Sequence, residues 1–451
     1  MTSEPAPRQV RLGAHFPGVN NTTVWSDPAS GSHIAFDSFV RLAQTAERAC
    51  FDFFFLAEGL RLREKKGRIH DLDVVGRPDT LPVLAALSAV TEHIGLVGTM
   101  TTTFNEPEEL ARQLASLDHL SGGRAGWNAV TSPDAFTGAN FRRGGFLARE
   151  DRYTRASEFV ALVRRLWTSW PDRVVHAGRH FDVDGRFALP RSPQGQPVVL
   201  QAGDSDDGRG FGATHADGIF TLARDLDGAR AFSADLKARA AAAGRDPDHL
   251  LILPAATFAL GDTAAEAEVR AAEIRRQQVS GQTAQQFLER YWNRDLSAYD
   301  PDGPLPDVDP LPEPEDPLLF QGQVRPTGDV AGQVRQWRDL ADEKDLSLRD
   351  LVVEVSARQT FVGTPADVAD QIDHRVQTGA ADGFILVPHL TPGGLDDFAT
   401  HVVPLLQAKG VLRTSYGGAT LRENLGLPAV APDPPSPTDP PSPSSTARRP
   451  A

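Results

Sequence analysis

The chain has 451 residues, 40% hydrophobic and 24% charged, with a formal charge of -14. That is enough apolar material for a large core, and the acidic balance argues against a nucleic-acid backbone as partner. The single cysteine, Cys50, excludes an intrachain disulfide and a cysteine-built zinc centre; it reads as a small buried hydrophobe. The opening MTSEPAPRQV has neither the basic nor the apolar region of a leader, and no apolar run approaches the about 18 residues of a membrane span. A cytoplasmic protein that does not touch membranes is expected.

The first apolar run is VRLGAHF, Val10–Phe16. A helical stripe of Phe36, Phe39, Val40, Ala43, Ala46 and Ala49 follows, spaced at the helical period. Then come FDFFFLAE (Phe51–Glu58) and IGLVGTMTT (Ile94–Thr102), a helix carrying Leu110, Leu114, Leu117 and Leu120, and RAGWNAVTS (Arg124–Ser132). The runs continue with PVVLQAG (Pro197–Gly203), GIFTLA (Gly218–Ala223), LLILPAATFAL (Leu250–Leu260) and GFILVPHL (Gly383–Leu390). Short, near-continuous apolar runs separated by helices are the pattern of parallel strands covered on both faces. Eight of them predict an α/β fold, a (β/α)8 TIM barrel, with a doubly wound open sheet as the alternative. Long insertions fall around 133–196 and 261–382. The proline-rich Tyr299–Phe320 reads as an insertion or a lid-like excursion. The folded domain is expected to span 1–427, and the Pro/Ser-rich 428–451 to be a disordered tail.

In a barrel, ligands sit at the carboxyl ends of the strands. Those ends are polar here. On a pleat of period two, Thr99 and Thr101 share a face, as do Asn128, Val130 and Ser132. Such hydroxyls equally serve loop backbone groups, and it is their joint placement at one mouth that suggests a site. QAGDSDDGRGFG, after the fifth run, joins a strand to a helix expected to begin near Arg209. Its backbone N–H groups and the Ser205 hydroxyl suit a phosphate, provided Asp204, Asp206 and Asp207 point away. A purely structural turn is the competing reading. No nicotinamide-binding GxGxxG, phosphate-binding GxxxxGK[ST], HExxH or GxSxG occurs; no metal site is expected.

In the order LDHLSGGRAGWNAVTS, REDRYTRASEFVALVRRLWTSW, GRHFDV, PQGQPVVLQAGDSDDGR, VGTPADVADQI and VVPLLQAKGVLRTSYGGATLRENLGL, the chain resembles the nitrilotriacetate, pristinamycin and dibenzothiophene-sulfone monooxygenases. These are a branch of the bacterial-luciferase-like flavin monooxygenases, and the resemblance runs from Leu12 to Leu427. It implies a luciferase-like barrel enzyme that binds FMN, reduced to FMNH2 by a separate NAD(P)H:flavin reductase. O2 then forms a C4a-peroxyflavin that oxygenates a small organic substrate. It also implies a homo-oligomer, dimer or tetramer. An F420-dependent oxidoreductase and a non-catalytic flavin-binding protein remain as alternatives.

Carried over by position, the cofactor-binding residues implied are Glu58 (where the family has Asp), Thr99, Thr101, Asn128, Ser132, Arg149 (where His is usual), Tyr153 and Ser205. The chain departs from the family's H-x-x-A-W-R-x-P at Asn21 and Ser26, and reads NFRRGG at Asn140–Gly145, so no substrate is implied. His15, ending the first strand, is the catalytic candidate, a donor to the oxidant or substrate; a satisfied pocket-edge histidine is the alternative.

Overall fold

The computed structural model describes residues 6–18, 22–62, 64–65, 68–69, 78–132, 135–141, 151–222, 224–315, 326, 328–356 and 359–431. Eight strands form the barrel: β1 (Arg11–His15), β2 (Phe53–Leu56), β3 (Gly95–Thr101), β4 (Ala125–Val130), β5 (Val198–Ala202), β6 (Gly218–Thr221), β7 (Leu251–Ala256) and β8 (Gly383–Leu386). Each is parallel to its neighbours in chain order, and β1 pairs with β8 as well as β2, so the sheet closes. The open-sheet alternative is thereby excluded.

Two of the sequence runs overreach. Leu250–Leu260 breaks at Thr257: Phe258–Leu260 leaves the barrel and pairs in parallel with Phe361–Gly363. The last run keeps strand geometry only to Leu386. Apolar composition does not show where a strand changes sheets.

Helices α1 (Phe36–Arg48), α2 (Thr80–Ser88), α3 (Pro107–Leu120), α4 (Arg152–Ser169), α5 (Asp206–His215) and α6 (Leu226–Ala242) cover the barrel's outside. Phe39, Ala43 and Ala46 are buried as their spacing predicts, but Phe36 and Leu120, at helix ends, are 41% and 68% exposed. Between β7 and β8 lie a helical insertion, α7 (Ala264–Gln278), α8 (Gly281–Trp292), α9 (Val330–Lys344) and α10 (Leu348–Val355), and then α11 (Pro365–Gln377), whose Val368, Ala369, Ile372 and Val376 pack on the barrel's outer core. Leu288, Trp292, Val334 and Leu351 build part of a separate core in the insertion. The described part of Tyr299–Phe320 is strapped onto this insertion rather than standing off it. Trp292 Nε1 donates to Val308 O, Leu311 N to Trp292 O and Glu315 N to Asn293 O, each at 2.9 Å.

Strand alternation divides the barrel wall into two faces. Leu12, Phe54, Leu96 and Leu386 point out to the helices, while Phe53, Phe55, Val97, Leu200, Leu253 and Ile385 point into the lumen. The amino-terminal end of the lumen is closed by the chain's own carboxyl end. Leu421, Leu425 and Leu427 join the lumen cluster, at 0%, 2% and 6% exposure. Gly95 makes room for the plug: a β-carbon there would lie 2.5 Å from a Leu421 methyl. Two buried ion pairs clamp it, Arg413 on Asp52 and Arg422 on Asp217 (3.1 Å). The turn between α3 and β4 lies at this same end, with Gly122 and Gly123 at φ +67° and +92°, where glycine is at ease.

Candidate active site

The mouth is built from the carboxyl ends of β1–β6. Parallel register sets Thr99 of β3 beside Asn128 of β4, and Asn128 beside Leu200 of β5. Because their neighbours two residues back point inward, so do they. Asn128 Nδ2 donates to Thr99 Oγ1 at 3.0 Å. Asn128 is 3% exposed, yet its Oδ1 accepts no hydrogen bond. A buried amide oxygen without a donor is destabilising unless something arrives to supply one.

One step higher, Ser132 Oγ donates to Thr101 Oγ1 (3.0 Å), and Thr103 Oγ1 accepts from the Ser132 amide (3.1 Å). The four residues Thr99, Thr101, Asn128 and Ser132 are therefore brought together as the sequence suggests. Below them, His15 stacks on Phe55 at 5.5 Å between centroids, and Phe55 on Phe220 of β6 at 5.3 Å. This aromatic shelf separates the polar ring from the apolar lumen.

The second half of the mouth lies at α5. Its cap is Ser205, and the helix begins at Asp206, three residues before the Arg209 expected from sequence. Ser205 Oγ accepts from Gly208 N (3.1 Å), which leaves its own hydrogen to donate. Tyr153 Oη, from the first turn of α4, lies 3.4 Å from Ser205 Oγ. Two of the three acids of the turn are engaged by neighbouring side chains, and Asp207 is exposed in the first turn of α5. Asp204 accepts from Thr221 Oγ1 and Arg224 Nη2, both at 2.7 Å, and Asp206 pairs with Arg239 at 2.7 Å. Two hydroxyls thus form a cradle beside the positive end of a helix dipole.

Glu58 meets the first group only through the backbone, its carboxyl lying against the Thr101 amide. It lines a groove of about 480 Å³ between α2 and α3, with Asp79, Thr80 and Met100. Burial, then the charge of Asp79, push its carboxyl up to about 8, partly offset by the Thr101 amide. It is therefore protonated near neutrality. Arg149 and Asn21 lie outside the described residues. Ser26 is exposed, in the loop after β1.

Sequence reasoning passed over three features. Arg155, buried two residues beyond Tyr153, donates to Thr102 O and Asn105 O (both 3.3 Å) and stacks over Phe181 at 4.3 Å. Asn105 Nδ2 in turn holds Thr101 O at 2.7 Å. Phe181, from the GRHFDV stretch, thus steadies the β3 end through an arginine. The repeated aromatic-basic pairing in those two motifs was the available signal. Phe104 and Phe141 stack at 4.4 Å and 4° on the lip, with Phe141 45% exposed; nothing in local sequence joins them. Gln201, 2% exposed, sits under the Ser205 turn. Among the described residues, no group of three His, Cys, Asp or Glu side chains is placed to hold a metal ion, and no helix is long and apolar enough to cross a membrane.

A closed parallel barrel with a polar ring on two strands and a hydroxyl cradle after a third is an α/β barrel whose polar groups gather at its carboxyl-terminal mouth. The chain belongs to the luciferase-like monooxygenase family, whose model matches residues 17–382. It is 41% identical to one of the pristinamycin IIA synthase subunits of Streptomyces pristinaespiralis, over 94% of this chain and 97% of that one. It is 37% identical to N-acetyl-S-(2-succino)cysteine monooxygenase from Bacillus subtilis (strain 168), over 95% and 98%. A riboflavin lyase solved with modified FMN and riboflavin superposes with a TM-score of 0.75 at 31% identity, covering 94% and 97%. The protein is a flavin-dependent monooxygenase by family.

Proposed function

We propose that this chain is the oxygenase component of a two-component monooxygenase. It takes reduced FMN from a separate NAD(P)H:flavin reductase and uses O2 to oxygenate a small organic substrate. The observation that carries the reading is the unpartnered, buried Oδ1 of Asn128 at the mouth of a luciferase-like barrel. The residues present fit FMN. Asn128 and Thr99, with Thr101 and Ser132 above them, would hold the polar edge of the flavin ring, and Ser205 with Tyr153 would hold the phosphate. When bound, the reduced flavin supplies the electrons with which O2 is reduced and cleaved.

The protein's own contribution is positioning and dryness. The Asn128–Thr99 pair fixes the amide, so that Oδ1 would accept from, and the remaining Nδ2 hydrogen would donate to, the polar edge of the flavin. The Phe55–Phe220 shelf and the apolar lumen keep water from below. His15, 3% exposed and stacked on Phe55, is assigned to touch the substrate or the reacting oxygen. We also propose that residues 1–427 act as one barrel unit and that the protein works as a homo-oligomer. The likeness to the riboflavin lyase solved with modified FMN, 31% identical over 94% of this chain, favours FMN over F420.

The test is an anaerobic titration with reduced FMN and with reduced F420, then a screen of thioethers, sulfones and secondary and tertiary amines with an external flavin reductase. Tight binding of reduced FMN and a product gaining one oxygen, or cleaved at C–S or C–N, is expected. Binding of F420 alone would overturn the proposal.

A further inference from the structure

The stretch GDSDDGRGFG, after β5, contains four glycines, and the structure separates their uses. A β-carbon on Gly203 would lie 2.3 Å from Gln201 Nε2 and 3.2 Å from Tyr153 Oη. One on Gly208 would lie 2.8 Å from Tyr153 Oη, and one on Gly212 would lie 2.6 Å from an Ile219 methyl and 2.9 Å from Gln201 Oε1. Gly210, in the same helix, clears nothing within 4 Å. Three of the four glycines therefore make room for one amide and one hydroxyl, Gly212 for the Ile219 methyl as well. The hydroxyl belongs to the cradle already described.

The amide has no such account. Gln201 is 2% exposed, and its Oε1, against Gly212, accepts no hydrogen bond. A methionine of the same length would remove that unsatisfied oxygen at no loss of packing. The value of a glutamine here must lie at its other end. The opposite amide orientation would be worse, since it would press two N–H donors, rather than one acceptor, against Gly212. The orientation shown turns Nε2 toward Gly203 and the side of the turn on which Tyr153 Oη lies.

We propose that Gln201 is a third donor of the anion cradle. Its Nε2 joins the hydroxyls of Tyr153 and Ser205 on the phosphate of bound FMN, and so selects the mononucleotide over the phosphate-free flavin. This rests on the phosphate assignment made under the proposed function. The three groups belong to two elements, β5–α5 and α4, so the phosphate would also pin α4 to the turn. The glycines are then required at positions 203, 208 and 212, and optional at 210.

The experiment measures dissociation constants of oxidised FMN and of riboflavin by flavin-fluorescence quenching, in the wild type, Ser205→Ala, Gln201→Met and Gln201→Glu. The readout is the ratio of the two constants, which general damage to the barrel does not move. The wild type should prefer FMN by about tenfold or more, in keeping with hydrogen bonds to a charged group. Gln201→Met should reduce that preference at least about fivefold by weakening FMN alone, with the apo protein no less heat-stable. Gln201→Glu, which sets a negative charge against the phosphate, should reduce it further.

If Ser205→Ala loses the preference while both Gln201 variants keep it, or lose FMN and riboflavin alike, Gln201 is a packing residue and the inference falls alone. If the wild type binds the two flavins equally, the phosphate assignment falls, and this inference with it.

Discussion

Replacing Asn128 by Leu separates a ligand-binding amide from a structural one by the sign of two effects. In the free protein the substitution removes the Nδ2–Thr99 hydrogen bond of 3.0 Å, a loss of about 1 kcal/mol. It also removes a buried oxygen that has no donor, a gain of about 1–3 kcal/mol. Leucine and asparagine are similar in size, so little cavity or crowding term enters. The expected sum lies between no change and about 2 kcal/mol of added stability. With flavin bound the balance reverses, because polar ring atoms then meet a hydrocarbon in a dry site. The expected weakening is about 1–3 kcal/mol, or about 5- to 150-fold in affinity. Thermal or urea unfolding of the apo protein, and titration with reduced FMN under anaerobic conditions, read the two quantities independently. An apo protein clearly less stable than wild type, with flavin affinity unchanged, would refute the reasoning and make Asn128 a structural residue of the β3–β4 pair.

Three further outcomes are expected. Ser205→Ala should lower FMN affinity by about 1–3 kcal/mol while sparing riboflavin, and lower stability by about 0.5–2 kcal/mol through loss of the α5 cap; calorimetry of binding and unfolding gives both. Glu58 has its carboxyl raised to about 8, so the folded state holds its proton more tightly than the unfolded chain. The stability it contributes is fully present below the unfolded carboxyl value and is lost as pH rises through about 8. Glu58→Gln should flatten that part of the stability–pH curve, and an unchanged slope between mildly acidic and mildly alkaline buffer would show that the burial is not felt. Leu421→Ala, far from the mouth, should cost about 2–5 kcal/mol of stability by opening a cavity in the lumen plug, with flavin affinity in the surviving folded protein unaltered.

The barrel was legible because each strand is buried on both faces, so every strand writes an uninterrupted apolar run. The polar ring was legible for a related reason. A period of two places Thr99 with Thr101 and Asn128 with Ser132, and parallel register then joins the two pairs. What escaped the sequence was contact between distant segments. Phe104 and Phe141 meet only because β3 and β4 are neighbours. Arg155 reaches the β3 end because α4 packs beside it, and Leu421 fills a lumen whose first strands lie at the other end of the chain. Glu58 was harder to place. It lies two residues past the end of β2, where the Thr101 amide meets its carboxyl and Asp79 shares its groove, and strand periodicity does not reach that far.

The mouth's polarity and the lumen's dryness are two consequences of one alternation. Along β3 the inward positions run Gly95, Val97, Thr99, Thr101, so the hydroxyls stand toward the carboxyl end; along β4 they run Gly126, Asn128, Val130. The small residues at the base admit the leucines of the carboxyl-terminal plug, and the polar ones above receive the ligand. Between the two levels stand Phe55 and Phe220, 5.3 Å apart and nearly parallel. Had either been small, the void left beneath the ring would hold water against the unpartnered Oδ1 of Asn128, which would then be hydrated rather than held for a ligand. The shelf therefore sets how strongly that oxygen can select its partner, since a hydrogen bond formed in a water-free site is not traded against one to solvent. Phe220→Ala should accordingly weaken reduced-FMN binding in the anaerobic titration without removing any group that binds the flavin, and an unchanged affinity would mean that the shelf does not keep the ring dry.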